Sequence, residues 1–195
     1  MIAGLILAGG KGLRMGGLDK PLLRLGDRAL LDILADRLAP QVGPVAISAN
    51  GDPRRFAAAS LSVLSDDVPD QGPLAGVLTG LRWAAAQGCT ALLTVPGDTP
   101  FIPSDLAVRL WPPAATARSG GRTHHAVALW PVGCGDALKA YLDGSGSRSV
   151  ARFARALPSR AIDFPVGGAI DPFFNINTPD DLLTARAWWP GPPAG

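Results

Sequence analysis

Cysteine occurs twice in the 195 residues, histidine twice and tyrosine once. Cys89 and Cys134 have no further thiol or imidazole at a zinc spacing. In a chain read as having no export signal they are expected to be reduced, so neither a disulfide framework nor a structural zinc organises the fold. Charge is scarce as well: 17% of residues are ionic, and 18 basic against 16 acidic side chains leave a net charge of +2. Without a basic excess or a lysine/arginine run, a nucleic-acid-binding role is excluded, and a small anionic ligand fits better than a polyanion. Long hydrophobic runs are missing too. The uncharged stretch from Trp83 to Gly97 is broken by Gln87, Gly88 and Pro96, too soon to span a bilayer. The first charge comes only at Lys11, so the basic region of a signal peptide is absent, and the expected location is cytoplasmic.

What the chain does have is apolar side chain, 47% of it, enough to bury a core. Length and composition predict one domain over residues 1–189 and a disordered proline/glycine tail over 190–195. Apolar runs at Ile2 to Leu7, Val45 to Ala49, Ser62 to Leu64 and Ala91 to Val95 alternate with helical patterns at Leu30 to Leu38 and Leu74 to Ala86. That alternation predicts an α/β fold with a mostly parallel central sheet between two layers of helices. Ala126 to Trp130 reads as a further strand, with His124 and His125 before it. Asp136 to Leu142 and Val150 to Leu157 read as helices, and Thr178 caps another that opens on Pro179.

Four segments carry chemistry. Leu7-Ala8-Gly9-Gly10-Lys11-Gly12 follows the first strand, and glycines there let backbone N–H groups converge on phosphate, with Arg14 and Lys20 supplying charge. The run is neither a dinucleotide fingerprint nor a P-loop, because Met15 stands where the first needs glycine and Gly12 where the second needs Ser or Thr. The second segment, Asp66 to Gly76, crowds three carboxylates before a helix; it can read a nucleobase edge or simply cap the helix. In the third, Thr94 to Pro103, Asp98 ends an apolar strand between Pro96 and Pro100 and suits a hard cation, though an Asx-turn has the same residues. In the last, Asn175 and Asn177 alternate with apolar residues, so on an extended chain both face one way.

Taken in order, Leu7-Ala8-Gly9-Gly10 with Arg14-Met15-Gly16 and Asp19-Lys20, Gly72-Pro73-Leu74-Ala75-Gly76, Pro96-x-Asp98-Thr99-Pro100 and Asn175-x-Asn177-Thr178-Pro179 resemble the molybdenum cofactor guanylyltransferase family. The resemblance runs from Ile2 to about Ala187. It implies a glycosyltransferase-A-like nucleotidyltransferase fold, Mg2+ as cofactor, and GTP and molybdopterin as substrates. Proteins that supply the cofactor or mature molybdoenzymes are implied as partners. It also implies nucleotide contacts at Leu7, Ala8, Gly9, Gly10, Lys20, Asp66, Gly72, Pro73 and Asp98, metal ligation by Asp98, and catalysis by Arg14, Lys20 and Asp98. Asn175, Asn177 and His124 are candidates for the acceptor side. Two positions depart from the family pattern: Gly97 where cysteine is frequent, expected to be harmless, and Ser48 where asparagine is, which puts any nucleotide contact there in doubt.

The residues agree with that chemistry. A phosphorylated acceptor brings its own nucleophile, so no Ser or Cys triad is needed, and catalysis reduces to positioning and charge neutralisation. Gly9 is expected to leave room for a purine, since a Cβ there would fill the space or forbid the dihedral. The rival readings are a cytidylyltransferase, whose first motif reads Leu-Ala-Ala-Gly, a nucleotidyltransferase acting on sugar phosphates, and a catalytically silent nucleotide binder.

Overall fold

In a computed structural model that describes residues 1–9, 20–66, 72–144, 148–168 and 170–189, the apolar runs become the centre of a sheet. The strands are β1 (Ile2–Leu7), β2 (Arg24–Leu25), β3 (Arg28–Ala29), β4 (Val45–Ser48), β5 (Ser62–Leu64), β6 (Ala91–Pro96), β7 (Ala115–Ser119), β8 (Arg122–Pro131) and β9 (Arg160–Asp163). The helices are α1 (Leu30–Leu38), α2 (Pro73–Ala86), α3 (Leu106–Leu110), α4 (Gly135–Asp143), α5 (Val150–Ala156) and α6 (Pro179–Trp188). The main sheet has the order β5-β4-β1-β6-β8-β7-β9, while β2 and β3 form a separate small hairpin.

Strands β5, β4, β1 and β6 run parallel, β8 is antiparallel to both its neighbours, and β7 and β9 are parallel to each other. β1 and β6 are buried along nearly their whole length because helices cover both sheet faces. On β1, Ala3 and Leu5 pack with Leu74, Val77 and Leu81 of α2 and with Leu138 of α4 and Phe153 of α5. Ile6 faces the other way, among Leu31, Leu34 and Leu38 of α1 and Leu106 and Leu110 of α3. Three layers follow from this alternation. A smaller cluster of Leu25, Leu30, Ile33, Phe101, Ile176 and Ala185 ties the hairpin and α6 to the edge of the sheet that carries the site.

The second half of the chain differs from the sequence reading in one important place. His124 and His125 lie inside β8, not before it, because Gly120 and Gly121 make a two-residue hairpin with φ of 52° and 76° and start the strand at Arg122. A turn with both φ values positive matches the twist of its flanking strands, and glycine takes it without a Cβ clash. The register then jumps between Thr116 and Ala117, which pair with Ala128 and His124, so residues 125–127 of β8 bulge beside the end of β6. The segment from Phe56 to Ala59 is part of a 3-10 helix over Pro53–Ala59. No helix of the described residues is long and apolar enough to cross a membrane. The tail over 190–195 lies outside the described residues.

Candidate active site

The parallel register sets the site. Leu7 pairs with Ser48 on one side and with Pro96 on the other, so β4, β1 and β6 end level with one another. Backbone bonds continue past the strand ends: Ala8 N–H donates to the Ser48 carbonyl at 2.8 Å and Gly97 N–H to the Leu7 carbonyl at 2.9 Å. These ties hold Leu7, Ala8 and Gly9 against Gly97 and Asp98. A cleft of about 180 Å³ opens there, lined by Leu7, Ala8, Gly9, Lys20, Pro73 and Asp98 among others. Six residues singled out from three separate segments thus meet at one place, the carboxyl edge where open α/β sheets bind ligands.

Lys20 and Asp98 form the charged centre of the cleft. Lys20 Nζ donates to Asn177 Oδ1 at 2.6 Å and lies 3.3 Å from Asp98 Oδ2. Their side chains are 24% and 17% exposed, so a ligand can reach both. Asn175 Nδ2 donates to Asp98 Oδ1 at 2.9 Å and to Thr99 Oγ1 at 2.8 Å, and Ile176 N–H to the Asp98 carbonyl at 2.9 Å. Both asparagines do face one way, with Ile176 buried on the other side. Their amides are engaged with Asp98, Thr99 and Lys20. The segment is held in turn by a capping box at α6, in which Asp181 Oδ2 accepts from Asn177 N–H and Thr178 N–H and the Thr178 hydroxyl accepts from Asp181 N–H.

Asp66 sits apart from this cleft, past β5 and beyond β4. Its carboxylate accepts from Asn50 Nδ2 at 2.9 Å, and its own N–H donates to Asn50 Oδ1 at 2.9 Å. Ser48, 5% exposed, lies beneath Gly76 and does not line the cleft. Gly72 enters α2 at φ 76°, a dihedral that favours glycine, and places Pro73 in the first turn of the helix beside the cleft. Pro73 lines the cleft together with Lys20 and Gly9, so the positive end of α2 adjoins it. Gly10 and Arg14 lie outside the described residues, as do Met15, Gly16, Asp19, Asp67 and Asp70.

Gly9 and Gly97 differ in what surrounds them. The dihedral reason for glycine at 9 does not hold, since its φ lies outside the left-handed region, and a Cβ there would meet no atom of the described residues within 4 Å. Gly97 is closely packed, because a Cβ would stand 2.7 Å from Pro21 Cγ, so glycine in place of the family's frequent cysteine is matched here by Pro21. The Pro21 ring fills the room that a side chain at 97 would need.

A second cleft, of about 220 Å³, lies across Pro96 and Ala126 from the first. Its lining includes Thr99, Arg122, His124, His125 and Asn175. Sequence reasoning missed the groups that build it: Ser119 Oγ donates to Asp171 Oδ1 at 2.7 Å and lies 2.8 Å from His124 Nε2. The Gly120-Gly121 pair was the signal that would have revealed the hairpin carrying them. Pro21 and Asn50, which shape the first cleft and hold Asp66, carried no such signal.

Residues 4–160 match the model of the MobA-like NTP transferase domain. The chain belongs to that family. It is 53% identical over 188 residues to a molybdenum cofactor guanylyltransferase of Cereibacter sphaeroides, covering 94% of this chain and 95% of that one. In fold it is similar to molybdopterin-guanine dinucleotide biosynthesis protein A of Archaeoglobus fulgidus, with a TM-score of 0.73 at 20% identity over 96% and 98% of the two chains. A Mycobacterium tuberculosis protein solved in complex with manganese superposes with a TM-score of 0.68 at 18% identity over 95% and 98%. As a MobA-like NTP transferase the chain is an enzyme, a nucleotidyltransferase on a three-layer α/β scaffold. The site accords with that class, since it offers a lysine, an aspartate and the first turn of α2 rather than a nucleophile.

The donor set is compatible with a divalent cation. Among the described residues no three His, Cys, Asp or Glu side chains gather as a metal cage, but Asp98 presents a partly exposed carboxylate at the cleft. A hard cation that keeps water and takes phosphate oxygens needs no more than one or two protein carboxylates.

Proposed function

We propose that this chain transfers GMP from GTP to the phosphate of molybdopterin, releasing pyrophosphate and forming the guanine dinucleotide of the cofactor. The observation that carries this reading is the convergence of Leu7, Ala8, Gly9, Lys20, Pro73 and Asp98 on one cleft at the sheet's carboxyl edge. The names of the relatives supply the choice of guanine and of molybdopterin. In the reaction an oxygen of the acceptor phosphate attacks the α-phosphorus of GTP, and the bond to the β-phosphate bridging oxygen breaks as its electron pair leaves with pyrophosphate.

The chain's own groups act by position and charge. Leu7 to Gly9 bring backbone close to the nucleotide. Lys20, fixed by Asn177 and Asp98, offsets charge that builds on the leaving pyrophosphate, and Arg14 adds to it. Gly72 and Pro73 present the positive end of α2. Asp66, oriented by Asn50, lies toward the nucleoside end. Asp98, oriented by Asn175, would hold Mg2+, which when bound supplies charge neutralisation at the phosphates. Proteins that hand over molybdopterin or receive the product are the partners this reading implies.

The test is to incubate the protein with Mg2+, molybdopterin and each nucleoside triphosphate in turn, and to measure pyrophosphate. Release with GTP alone is expected. Turnover with CTP in place of GTP would overturn the base assignment, and no release with any triphosphate would overturn the reaction.

A further inference from the structure

Asp171, Ser119 and His124 form a chain of polar side-chain contacts outside the nucleotide cleft. Ser119 is 2% exposed, and its hydroxyl carries one proton. Asp171 Oδ1 already accepts from Phe173 N–H at 2.8 Å, and an ionised carboxylate can only accept, so the 2.7 Å contact from Ser119 Oγ requires the hydroxyl proton to point at Asp171. The 2.8 Å contact between Ser119 Oγ and His124 Nε2 must then be filled by a proton on the imidazole. This order also removes Ser119 as a nucleophile, because its proton faces the acid and not the base.

The ring is held on its other side by Phe173, with centroids 5.0 Å apart and planes tilted by 47°. Burial pushes its pKa below the ordinary imidazole range; Asp171 opposes that shift, and Arg122 and His125 add to it. Burial therefore favours the neutral ring. With Nε2 bearing the proton, Nδ1 carries a lone pair, on a ring that lines the second cleft beside Asn175 and Thr99.

We propose that the Asp171–Ser119 pair locks His124 as its Nε2–H tautomer, so that Nδ1 accepts a hydrogen bond from an N–H or O–H group of the acceptor substrate. Such a lone pair repels phosphate oxygen, so His124 reads the non-phosphate part of the acceptor. It is a specificity-determining residue, and Ser119 and Asp171 are positioning residues that act through it. This deepens the reading above and rests on it for the identity of the acceptor.

Two measurements on the whole chain test it. A two-bond 1H–15N correlation spectrum of labelled protein, assigned by the signals missing in His124→Asn, is expected to show His124 protonated at Nε2. Ser119→Ala should convert that pattern to a mixture. Anaerobic calorimetry with molybdopterin should show about tenfold weaker binding for His124→Ala, the equivalent of one neutral hydrogen bond. His124→Asn, whose amide oxygen takes the place of Nδ1, should stay within about threefold of wild type by the same reasoning. GTP affinity should be the same in both variants. A wild-type spectrum protonated at Nδ1 overturns the lock. Undiminished molybdopterin affinity in His124→Ala, or equal losses in the Ala and Asn variants, overturns the acceptor contact. Wild-type protein that binds no molybdopterin fails the acceptor reading itself, and the ligand of this proposal with it, a result separate from the spectrum.

Discussion

The two halves of the sheet reach their clefts by different routes. In the parallel half, β4, β1 and β6 stop at the same level, and β1 and β6 deliver Ala8 and Gly9, and Gly97 and Asp98, to the cleft within one or two positions of the strand end. In the other half β8 runs antiparallel, and His124 and His125 reach the second cleft only because a tight glycine hairpin and a register jump turn mid-strand residues toward it. Parallel strands make a site from short contiguous motifs, whereas the antiparallel half assembles one from Ser119, His124 and Asp171, parts that are up to 52 positions apart. Function in the first half should be fragile to single changes at strand ends and tolerant elsewhere. In the second it should depend on supporting contacts.

The largest effect is expected from Asp98→Ala. Removing the carboxylate takes away the candidate metal ligand and the partner of both Lys20 and Asn175. Transfer should fall at least about a hundredfold, the scale of losing one preorganised electrostatic group. Because the side chain faces a cleft and not the core, the melting temperature should drop by no more than about 4 °C. Near-normal turnover with magnesium would make Asp98 a turn residue and erase the distinction between the halves.

Lys20→Ala comes next. Its ammonium is a point charge set between Asp98 and Asn177, suited to the triphosphate tail and not to a base. Affinity for GTP should fall about tenfold more than affinity for GMP, in keeping with the loss of a charge-assisted hydrogen bond. Equal losses for the two nucleotides, measured by calorimetry, would move Lys20 away from the phosphates.

These two residues also show what was legible in the sequence. Asp98 stands in a motif that directly follows a strand, which its run of apolar residues locates, and Lys20 is read from the motif that opens at the end of β1. The parallel run of β5, β4, β1 and β6 follows from the same pattern. The hairpin of β7 and β8 was not legible as a site element, since Thr123 to Ala126 mixes polar and apolar residues without alternation and the bulge carries no motif. Ser119 and Asp171 are ordinary residues whose meaning comes from a contact across 52 positions. The packing of Gly97 on Pro21 is hidden in the same way, because the sequence does not place the two side by side.

Gly76→Ala tests how tightly the parallel half is packed. A Cβ at 76 would lie 2.2 Å from Ser48 Oγ and 3.3 Å from Ser48 Cβ, in a place where both residues are buried. The variant should lose about 1–3 kcal/mol of stability, as overpacked cores do. Adding Ser48→Ala removes the clashing oxygen and should return most of the loss, a non-additivity that thermal melts of the single and double variants would read. If the double variant melts no higher than Gly76→Ala alone, Ser48 is not what requires glycine at 76.

The smallest effect concerns the capping box that anchors the asparagine segment between the halves. Thr178→Ala removes the acceptor for Asp181 N–H and should cost about 1 kcal/mol. That is a melting shift of about 2–4 °C in a chain of this size. Asp181 adds a pH dependence whose sign is fixed. Burial raises its pKa, but hydrogen bonds from Asn177 N–H and from Thr178 outweigh that, and Lys20 adds a further lowering, so the folded value lies below the ordinary carboxylate range. A depressed folded pKa contributes stability that is full above the unfolded value, near 4, and is lost as pH falls through the folded value. Wild type should therefore lose part of its stability below about pH 4 by this route, and Asp181→Asn should flatten that part of the profile. Because Asp181 holds Asn177 N–H and Asn177 holds Lys20, the same variant should slacken Lys20 and raise the KM for GTP without a matching fall in kcat. A melt that moves with KM unchanged would confine the capping box to stability and leave Lys20 positioned by Asp98 alone.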